Sequence, residues 1–266
     1  RYGTLKDLPK LAAIHLNDTH PAMAVPELMR ILIDEYYYNW EDAWAITTST
    51  CAYTNHTVLA EALETWSEDL VERIVPRIHS IIQEINRRLC EELWGRFPGE
   101  WAKISRMAII EHSRIKMANL SVYGGHSVNG VAALHSEIIK QSVFKDFYDF
   151  SPEKFTNVTN GIAYRRWLCQ SNPELTQLLC DCIGDGFVHD ASQLAEFKKF
   201  EDDATVLSRL EEIKAIKKKQ FVDYAFKKQG FVINPDSIFD TQAKRLHEYK
   251  RQLLNVLNII DIYLDL

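Results

Sequence analysis

The chain has 266 residues, of which 46% are hydrophobic and 26% are charged, and its formal net charge is −6. This composition is typical of a globular protein with one large domain or two smaller ones. The acidic balance argues against a general nucleic-acid-binding protein, which would be basic. No apolar run approaches the roughly 20 residues of a membrane-spanning helix. We therefore expect neither a nucleic-acid partner nor a membrane partner.

The cysteines are five in number and lack CxxC spacing; they are Cys51, Cys90, Cys169, Cys180 and Cys182. An odd set without that spacing favours a reducing compartment over a disulfide or zinc framework. The first residue is Arg1, and no signal peptide is recognisable. We expect a cytoplasmic protein without a metal site.

Predicted strands and helices alternate throughout the chain, so we expect an α/β protein. The run from Leu11 to Leu16 predicts a buried strand, and Asp18 or Thr19 in the loop after it is suited to cap a helix. The stretch from Cys51 to Val58 is β-rich at first and then abruptly polar. Between the two stretches, helical spacing predicts helices over residues 25–38 and 41–50.

A long amphipathic region predicts helix over residues 68–94, with a break or restart at Pro76. Residues 117–123 predict a strand, which closes in the glycine-rich loop from Gly124 to Gly130. A helix is expected from residue 131 to residue 140. The loop is therefore predicted as a strand–helix turn, with positive φ at its glycines or with a phosphate between them.

The last part of the chain predicts a helix after Asn172 and a long helix from Asp203 to Lys228, which Gly230 ends. Residues 237–239 predict a short strand, and helical spacing resumes at Leu253. The segment between them is a basic loop. It carries Lys244, Arg245, Lys250 and Arg251 against the single carboxylate of Glu248.

A basic loop before a helix is suited to hold an anion, because unpaired N–H groups and the helix dipole both favour negative charge. The alternative is a solvated charged turn, since most charged runs lie on the surface. Spacing alone leaves both interpretations open.

Five motifs of the chain, taken together, resemble the signatures of the α-glucan phosphorylases. They are Asn17–Pro21, Ala52–Thr57, Val128–Val131, Thr159–Ile162 with Arg165–Trp167, and Lys244–Gln252. The chain is identified as an internal fragment of a glycogen, starch or maltodextrin phosphorylase, of the bacterial type. His15 stands where the resemblance predicts glutamine.

The resemblance implies an α/β fold of the GT-B type, with two Rossmann-like lobes. Residues 1–155 would be the back half of the first lobe, and residues 156–266 would begin the second, cofactor-binding lobe. The implied reaction releases glucose 1-phosphate from the non-reducing end of an α-1,4-glucan, with inorganic phosphate as the second substrate. The implied full-length protein is a homodimer.

The implied cofactor is pyridoxal phosphate. Its Schiff-base lysine lies in a GTGNMK-like segment in the family, and no such segment occurs among these 266 residues. We therefore expect the fragment alone to be inactive.

The resemblance also implies roles for individual residues. Asp18, His20, Asn55, His56 and Asn160 would bind the glucan. The His56 backbone carbonyl would lie near the anomeric carbon, which makes this residue catalytic as well. From the residues alone, His56 is more readily interpreted as a structural histidine, and Asn160 is equally interpreted as a turn residue before a glycine.

The basic loop would serve the two phosphates. Lys244 is assigned to the cofactor phosphate, and Arg245 and Lys250 to the substrate phosphate, all three with catalytic roles. Two alternatives stay open at this point: a nucleotide-sugar-dependent glycosyltransferase of the same fold, and a glucan-binding fragment without chemistry.

Overall fold

The structure is a computed structural model, and it describes residues 4–59 and 62–266. The chain divides into two compact units, the first ending at Gly161 and the second running from Ile162 to Leu266. The predicted domain boundary, between Phe155 and Thr156, falls within a strand of the first unit. The α/β class is confirmed. No helix in the described ranges is both long and apolar enough to cross a membrane.

The first unit contains strands and helices in alternation. Its strands are β1 (Ile14–Asn17), β2 (Cys51–Thr54), β3 (Thr65–Ser67), β4 (Ile110–Glu111), β5 (Arg114–Lys116), β6 (Ser127–Gly130) and β7 (Phe155–Asn157). Its α-helices are α1 (Leu8–Leu11), α2 (Ala24–Arg30), α3 (Trp40–Thr50), α4 (Glu68–Ile74), α5 (Pro76–Arg96), α6 (Trp101–Met107), α7 (Met117–Tyr123), α8 (Ala133–Ile138) and α9 (Lys145–Phe150). Short π-helical segments extend α2 and α8.

Four strands form a parallel sheet in the order β1-β2-β6-β7. Alternate residues of a strand face opposite sides of a sheet. On one side, Leu16, Tyr53 and Val128 pair in register and are almost completely buried. On the other side, Asn17, Thr54 and Asn129 form a polar row. Most parallel sheets are apolar on both faces, so this polar face is a departure that needs an explanation.

The predicted amphipathic region over residues 68–94 is confirmed as α4 and α5, which separate at Val75. Pro76 takes the first position of α5, where its missing N–H costs nothing. The apolar stripe of α5 is buried in the core of the first unit; it comprises Ile78, Ile81, Ile82, Ile85, Leu89 and Leu93. This stripe, and not helix propensity, supplies most of the stabilisation of α5.

The predicted strand over residues 117–123 is wrong, because this segment is the helix α7. Its residues from Met117 to Val122 are all buried, so the segment has no polar face from which a period could be read. Two polar side chains of this helix donate hydrogen bonds to backbone carbonyls. Ser121 donates to the Met117 carbonyl (2.9 Å), and Asn119 donates to the Ala108 carbonyl (2.9 Å) at the end of α6.

The glycine-rich loop consequently joins a helix to a strand, which corrects the predicted strand–helix turn. Positive φ is not the reason for its glycines either, since the positive-φ glycines of the described ranges are Gly99, Gly184 and Gly230. A Cβ on Gly125 would lie 3.0 Å from the Cys51 carbonyl oxygen. The loop thus needs glycine because it passes close to the start of β2.

The second unit is helical. Its α-helices are α10 (Pro173–Ile183), α11 (Ala204–Gln229) and α12 (Gln252–Asp265). The Asn172 and Asp203 side chains cap α10 and α11, and Gly230 ends α11 in the left-handed region, as the sequence predicts. The predicted strand over residues 237–239 is wrong. A strand needs a partner for its backbone N–H and C=O groups, and the described residues of this unit form no strand.

Acid titration tests the ion pairs of α5. The Glu84 carboxylate accepts hydrogen bonds from Arg87 (2.7 Å) and Arg88 (2.6 Å), and Arg87 above all lowers the pKa of Glu84 to about 2. The folded-state pKa is depressed, so this stabilisation is present above about pH 4.5 and is lost as the pH falls toward 2. We expect Glu84→Gln to lose less unfolding free energy than the wild type between pH 5 and pH 3. Urea unfolding at both pH values measures this, and equal losses would contradict it.

Candidate functional site

The predicted glucan-binding residues of the first unit follow the carboxyl ends of its parallel strands. Asp18 comes directly after β1, Asn55 and His56 come directly after β2, and Asn160 lies three residues beyond β7. The carboxyl ends of parallel strands meet at one edge of the sheet, where open α/β sheets bind their ligands. β1 and β2 are neighbours, whereas β6 separates β2 from β7. The structure thus places Asp18, Asn55 and His56 side by side and Asn160 two strands away.

His56 is exposed at this edge, and its Nε2 lies 2.7 Å from Asn17 Oδ1. An amide oxygen only accepts, so Nε2 carries the proton in this contact. Asn17 belongs to the first motif, but the sequence assigns it no role. The contact could not be foreseen, since it joins residues 39 positions apart in the sequence.

Asn55 is completely buried behind the His56 loop. Its Nδ2 donates to the Tyr53 hydroxyl (3.0 Å), and its Oδ1 accepts from the Thr57 N–H (3.1 Å). Its backbone N–H donates to the Asn129 carbonyl of β6 (3.0 Å). Asn55 therefore shapes the turn that presents His56, and its predicted contact with the glucan stays a prediction.

The buried amide of Asn55 predicts a large stability effect. Asn55→Leu removes the partners of the Tyr53 hydroxyl and the Thr57 N–H, so we expect the free energy of unfolding to fall by about 2 to 4 kcal/mol. Asn17→Leu is the matched control, because Asn17 is exposed and should change stability by less than about 1 kcal/mol. Denaturant unfolding of both variants checks this. Similar losses in the two variants would show that Asn55 is not the anchor of the turn.

Asp18 adopts the left-handed conformation, with φ of 61°. Its carboxylate accepts from the Thr19 N–H (2.6 Å), and its own N–H donates to the Thr54 carbonyl (3.0 Å). The predicted helix cap is wrong, because α2 begins later, at Ala24, and has no side-chain cap. Asp18 instead forms a tight bend, tied to β2, that carries the chain from β1 to His20.

Glu64 organises the loop around His20, which is exposed, and no sequence motif singles Glu64 out. Its carboxylate accepts from the Thr19 hydroxyl (2.7 Å) and from the Trp66 indole N–H (2.8 Å). The same carboxylate lies 3.7 Å from His20 Nδ1. His20 is thereby held beside a fixed negative charge. Glu64 is 45 positions from Thr19 in the sequence, and only the fold brings them together.

Asn160 is exposed beyond β7, and its N–H donates to the Val131 carbonyl (2.9 Å). This bond joins it to the segment after β6. By its contacts Asn160 belongs to the first unit, although the predicted boundary assigns it to the second domain.

The basic loop lies in the second unit and leads into α12, the helix expected after it. Lys244 and Arg245 are exposed, and Lys250 is half-buried with its Nζ 4.6 Å from the centre of the Tyr249 ring. The Gln252 side chain donates to the Arg245 carbonyl (2.8 Å), which closes the loop on the start of the helix.

The cations of this loop are chemically suited to phosphate. Among the described residues, Lys244, Arg245 and Lys250 form no ion pair with a carboxylate, so their charges are available to an anion. A guanidinium fork recognises phosphate oxygens in pairs, whereas an ammonium acts as a compact point charge. The donor set therefore fits a phosphate group, on a cofactor or on a substrate.

Comparison with known proteins shows the family. The family model described as carbohydrate phosphorylase matches residues 1–266. A glycogen phosphorylase of Bacillus subtilis (strain 168) is 48% identical over 262 residues, covering 98% of this chain and 33% of that protein. The brain form from Mus musculus is 50% identical over 258 residues, covering 96% of this chain and 31% of that protein.

The chain spans about a third of the length of these relatives. Bacterial and mammalian proteins match it at similar identity, so the predicted bacterial type stays a prediction. The identification of the chain as a phosphorylase fragment, made from its motifs, is confirmed. The chain belongs to the carbohydrate phosphorylase family.

Proposed function

We propose that this chain is part of a longer protein, here called the parent protein, which is an α-1,4-glucan phosphorylase of the glycogen phosphorylase type. It would transfer the terminal glucosyl group of the glucan to inorganic phosphate and release glucose 1-phosphate. The observation that carries this proposal is the match of the carbohydrate phosphorylase family over residues 1–266. The glycogen phosphorylases among the relatives favour phosphate over a nucleotide sugar as the second substrate.

The first unit would bind the glucan. Its candidate residues are Asp18, His20, Asn55, His56 and Asn160. The chemistry expected at His56 is electrostatic, because a carbonyl dipole near the anomeric carbon stabilises the positive charge of an oxocarbenium-like transition state. The hydrogen bonds of Asn55 to β6 and to Thr57 support this role, since they fix the backbone next to His56.

The basic loop would bind phosphate. Two phosphates that react with one another repel strongly: unit charges 4 Å apart interact by about 4 kcal/mol at an effective dielectric constant of 20. Fixed cations offset this repulsion. We assign Arg245 and Lys250 to the substrate phosphate and Lys244 to the cofactor phosphate.

The proposed cofactor is pyridoxal phosphate. When bound, its phosphate would exchange a proton with the substrate phosphate. Within this chain, Lys244 would hold that group, and the absence of a carboxylate partner among the described residues supports the assignment. The covalent lysine is expected in a segment that these 266 residues do not contain.

The two-lobe architecture of the parent protein is proposed from the same family match. The parent protein would have the GT-B fold of two Rossmann-like lobes, the first holding residues 1–155 and the second beginning at residue 156. We propose further that it is a cytoplasmic homodimer.

The test is an assay of the parent protein with maltoheptaose, inorganic phosphate and pyridoxal phosphate. The proposal predicts release of glucose 1-phosphate that depends on inorganic phosphate. Parallel reactions supply UDP-glucose or ADP-glucose without inorganic phosphate. Chain elongation from a nucleotide sugar, with no phosphorolysis, would favour the glycosyltransferase alternative. Glucan binding without either reaction would favour a non-catalytic protein.

A further inference from the structure

Three polar side chains are connected across three neighbouring strands on the polar face of the sheet. His15 Nε2 of β1 lies 2.6 Å from the Thr54 hydroxyl of β2. The same hydroxyl donates to Asn129 Oδ1 of β6 (2.7 Å). The Asn129 Nδ2 in turn donates to the Gly130 carbonyl (2.9 Å). The chain of hydrogen bonds therefore runs without interruption from His15 to the end of β6.

The direction of every bond in this row is determined by the donors. The Nδ2 of Asn129 faces a carbonyl, so its Oδ1 faces Thr54 and can only accept. A threonine hydroxyl has a single proton, and Thr54 gives it to Asn129. The bond between His15 and Thr54 then requires His15 to donate. His15 consequently carries a proton on Nε2.

The backbone groups of this row hold the two loops of the candidate site. The Thr54 carbonyl accepts from the Asp18 N–H (3.0 Å), and the Asn129 carbonyl accepts from the Asn55 N–H (3.0 Å). Thr54 is only 6% exposed, so its hydroxyl depends on protein partners, and these are His15 and Asn129. The side-chain row and the loop anchors thus share the same two residues, Thr54 and Asn129.

We propose that His15 is a positioning residue of the candidate site. By donating Nε2–H to Thr54, it orders Thr54 and Asn129 and so fixes the Asp18 bend and the Asn55–His56 turn. The proposal deepens the proposed function, because it concerns the site to which glucan binding is assigned. His15 itself touches no reacting atom in this account.

The experiment compares His15→Gln with His15→Met. Glutamine retains an N–H donor at the end of a side chain of similar length, whereas methionine has nearly the same length and no donor. The first readout is amide hydrogen exchange at Asn55, with Gly124 as the reference amide, because Gly124 bonds within its own segment to Leu120 (2.9 Å). This readout does not depend on enzyme activity, so it remains decisive if the proposed function fails.

The loss of one hydrogen bond predicts about five- to tenfold faster exchange at Asn55 in His15→Met, with Gly124 unchanged. His15→Gln should stay within about twofold of the wild type. If the proposed function holds, kcat/KM for maltoheptaose in the parent protein should follow the same order. Nitrogen-15 NMR of His15 should find the proton on Nε2.

Any of the following results would overturn the proposal. In the first, exchange at Asn55 is the same in His15→Met as in the wild type. In the second, glutamine fails to rescue, which would mean that the ring and not the donor matters. In the third, the proton of His15 resides on Nδ1 alone. Faster exchange at Gly124 as well as Asn55 would mean general destabilisation and would also count against a local role.

Discussion

Replacing Arg245 with methionine in the parent protein should lower kcat/KM for inorganic phosphate by about 10² to 10³, since preorganised donors to a developing anion are typically worth this much. Arg245 is exposed, and among the described residues it has no carboxylate partner, so its stability role should be small. The expected defect is therefore in phosphate use and not in folding. Initial rates at varied phosphate concentration, with glucan in excess, measure it.

Arg251→Met is the matched control for this substitution. Arg251 lies in the same basic segment, is also exposed and has no assigned role. The substitution removes the same charge and should leave kcat/KM within about threefold, because Arg251 is assigned no contact with phosphate and a charge without such a contact is screened by water and salt. Equal losses in the two variants would indicate a general charge effect and would remove the specific assignment of Arg245.

The 266-residue chain by itself should show no phosphorolysis. It contains the proposed contacts to glucan and phosphate, but the lysine expected to anchor the cofactor is not among its residues. Loss of a proton-transfer partner typically lowers a rate by about 10² to 10⁴, before any lost positioning is counted. The purified chain is incubated with pyridoxal phosphate, maltoheptaose and phosphate, and glucose 1-phosphate is assayed.

The parent protein under identical conditions is the control for that assay. Turnover of the isolated chain at a rate comparable to the parent, in a preparation free of the longer protein, would contradict our account of the cofactor.

The elements that the sequence predicts correctly share a visible boundary or period. The apolar stripe of α5 repeats every three or four residues, and Pro76 marks its start. α10 and α11 are preceded by Asn172 and Asp203, whose side chains accept from the first-turn N–H groups. These signals are local, so they can be read from the sequence without knowledge of the fold.

The two wrong strands lack such signals. Residues 117–122 are buried on every side, and a short apolar run does not distinguish a strand from a buried helix. Residues 237–239 have β-like composition, but a strand is defined by its neighbour, and Ile238 is 96% exposed. Composition shows that a segment is able to form a strand, but the strand forms only where a neighbouring strand pairs with it.

In the candidate site, too, local features could be predicted from the sequence, whereas long-range contacts could not. The loops after β1 and β2 could be located because each apolar run ends abruptly in polar residues. Two contacts could not be predicted, because they join residues far apart in the sequence. Glu64 contacts Thr19 across 45 positions, and His15 contacts Thr54 across 39 positions. The resemblance supplied roles for single residues, and the structure added the neighbours that hold those residues in place.

The most direct test of the site assignment is a crystal structure of the parent protein with glucose 1-phosphate bound. We expect the glucose to contact His56 and Asn160, at the carboxyl edge of the β1-β2-β6-β7 sheet. A glucose bound away from that edge would contradict the assignment.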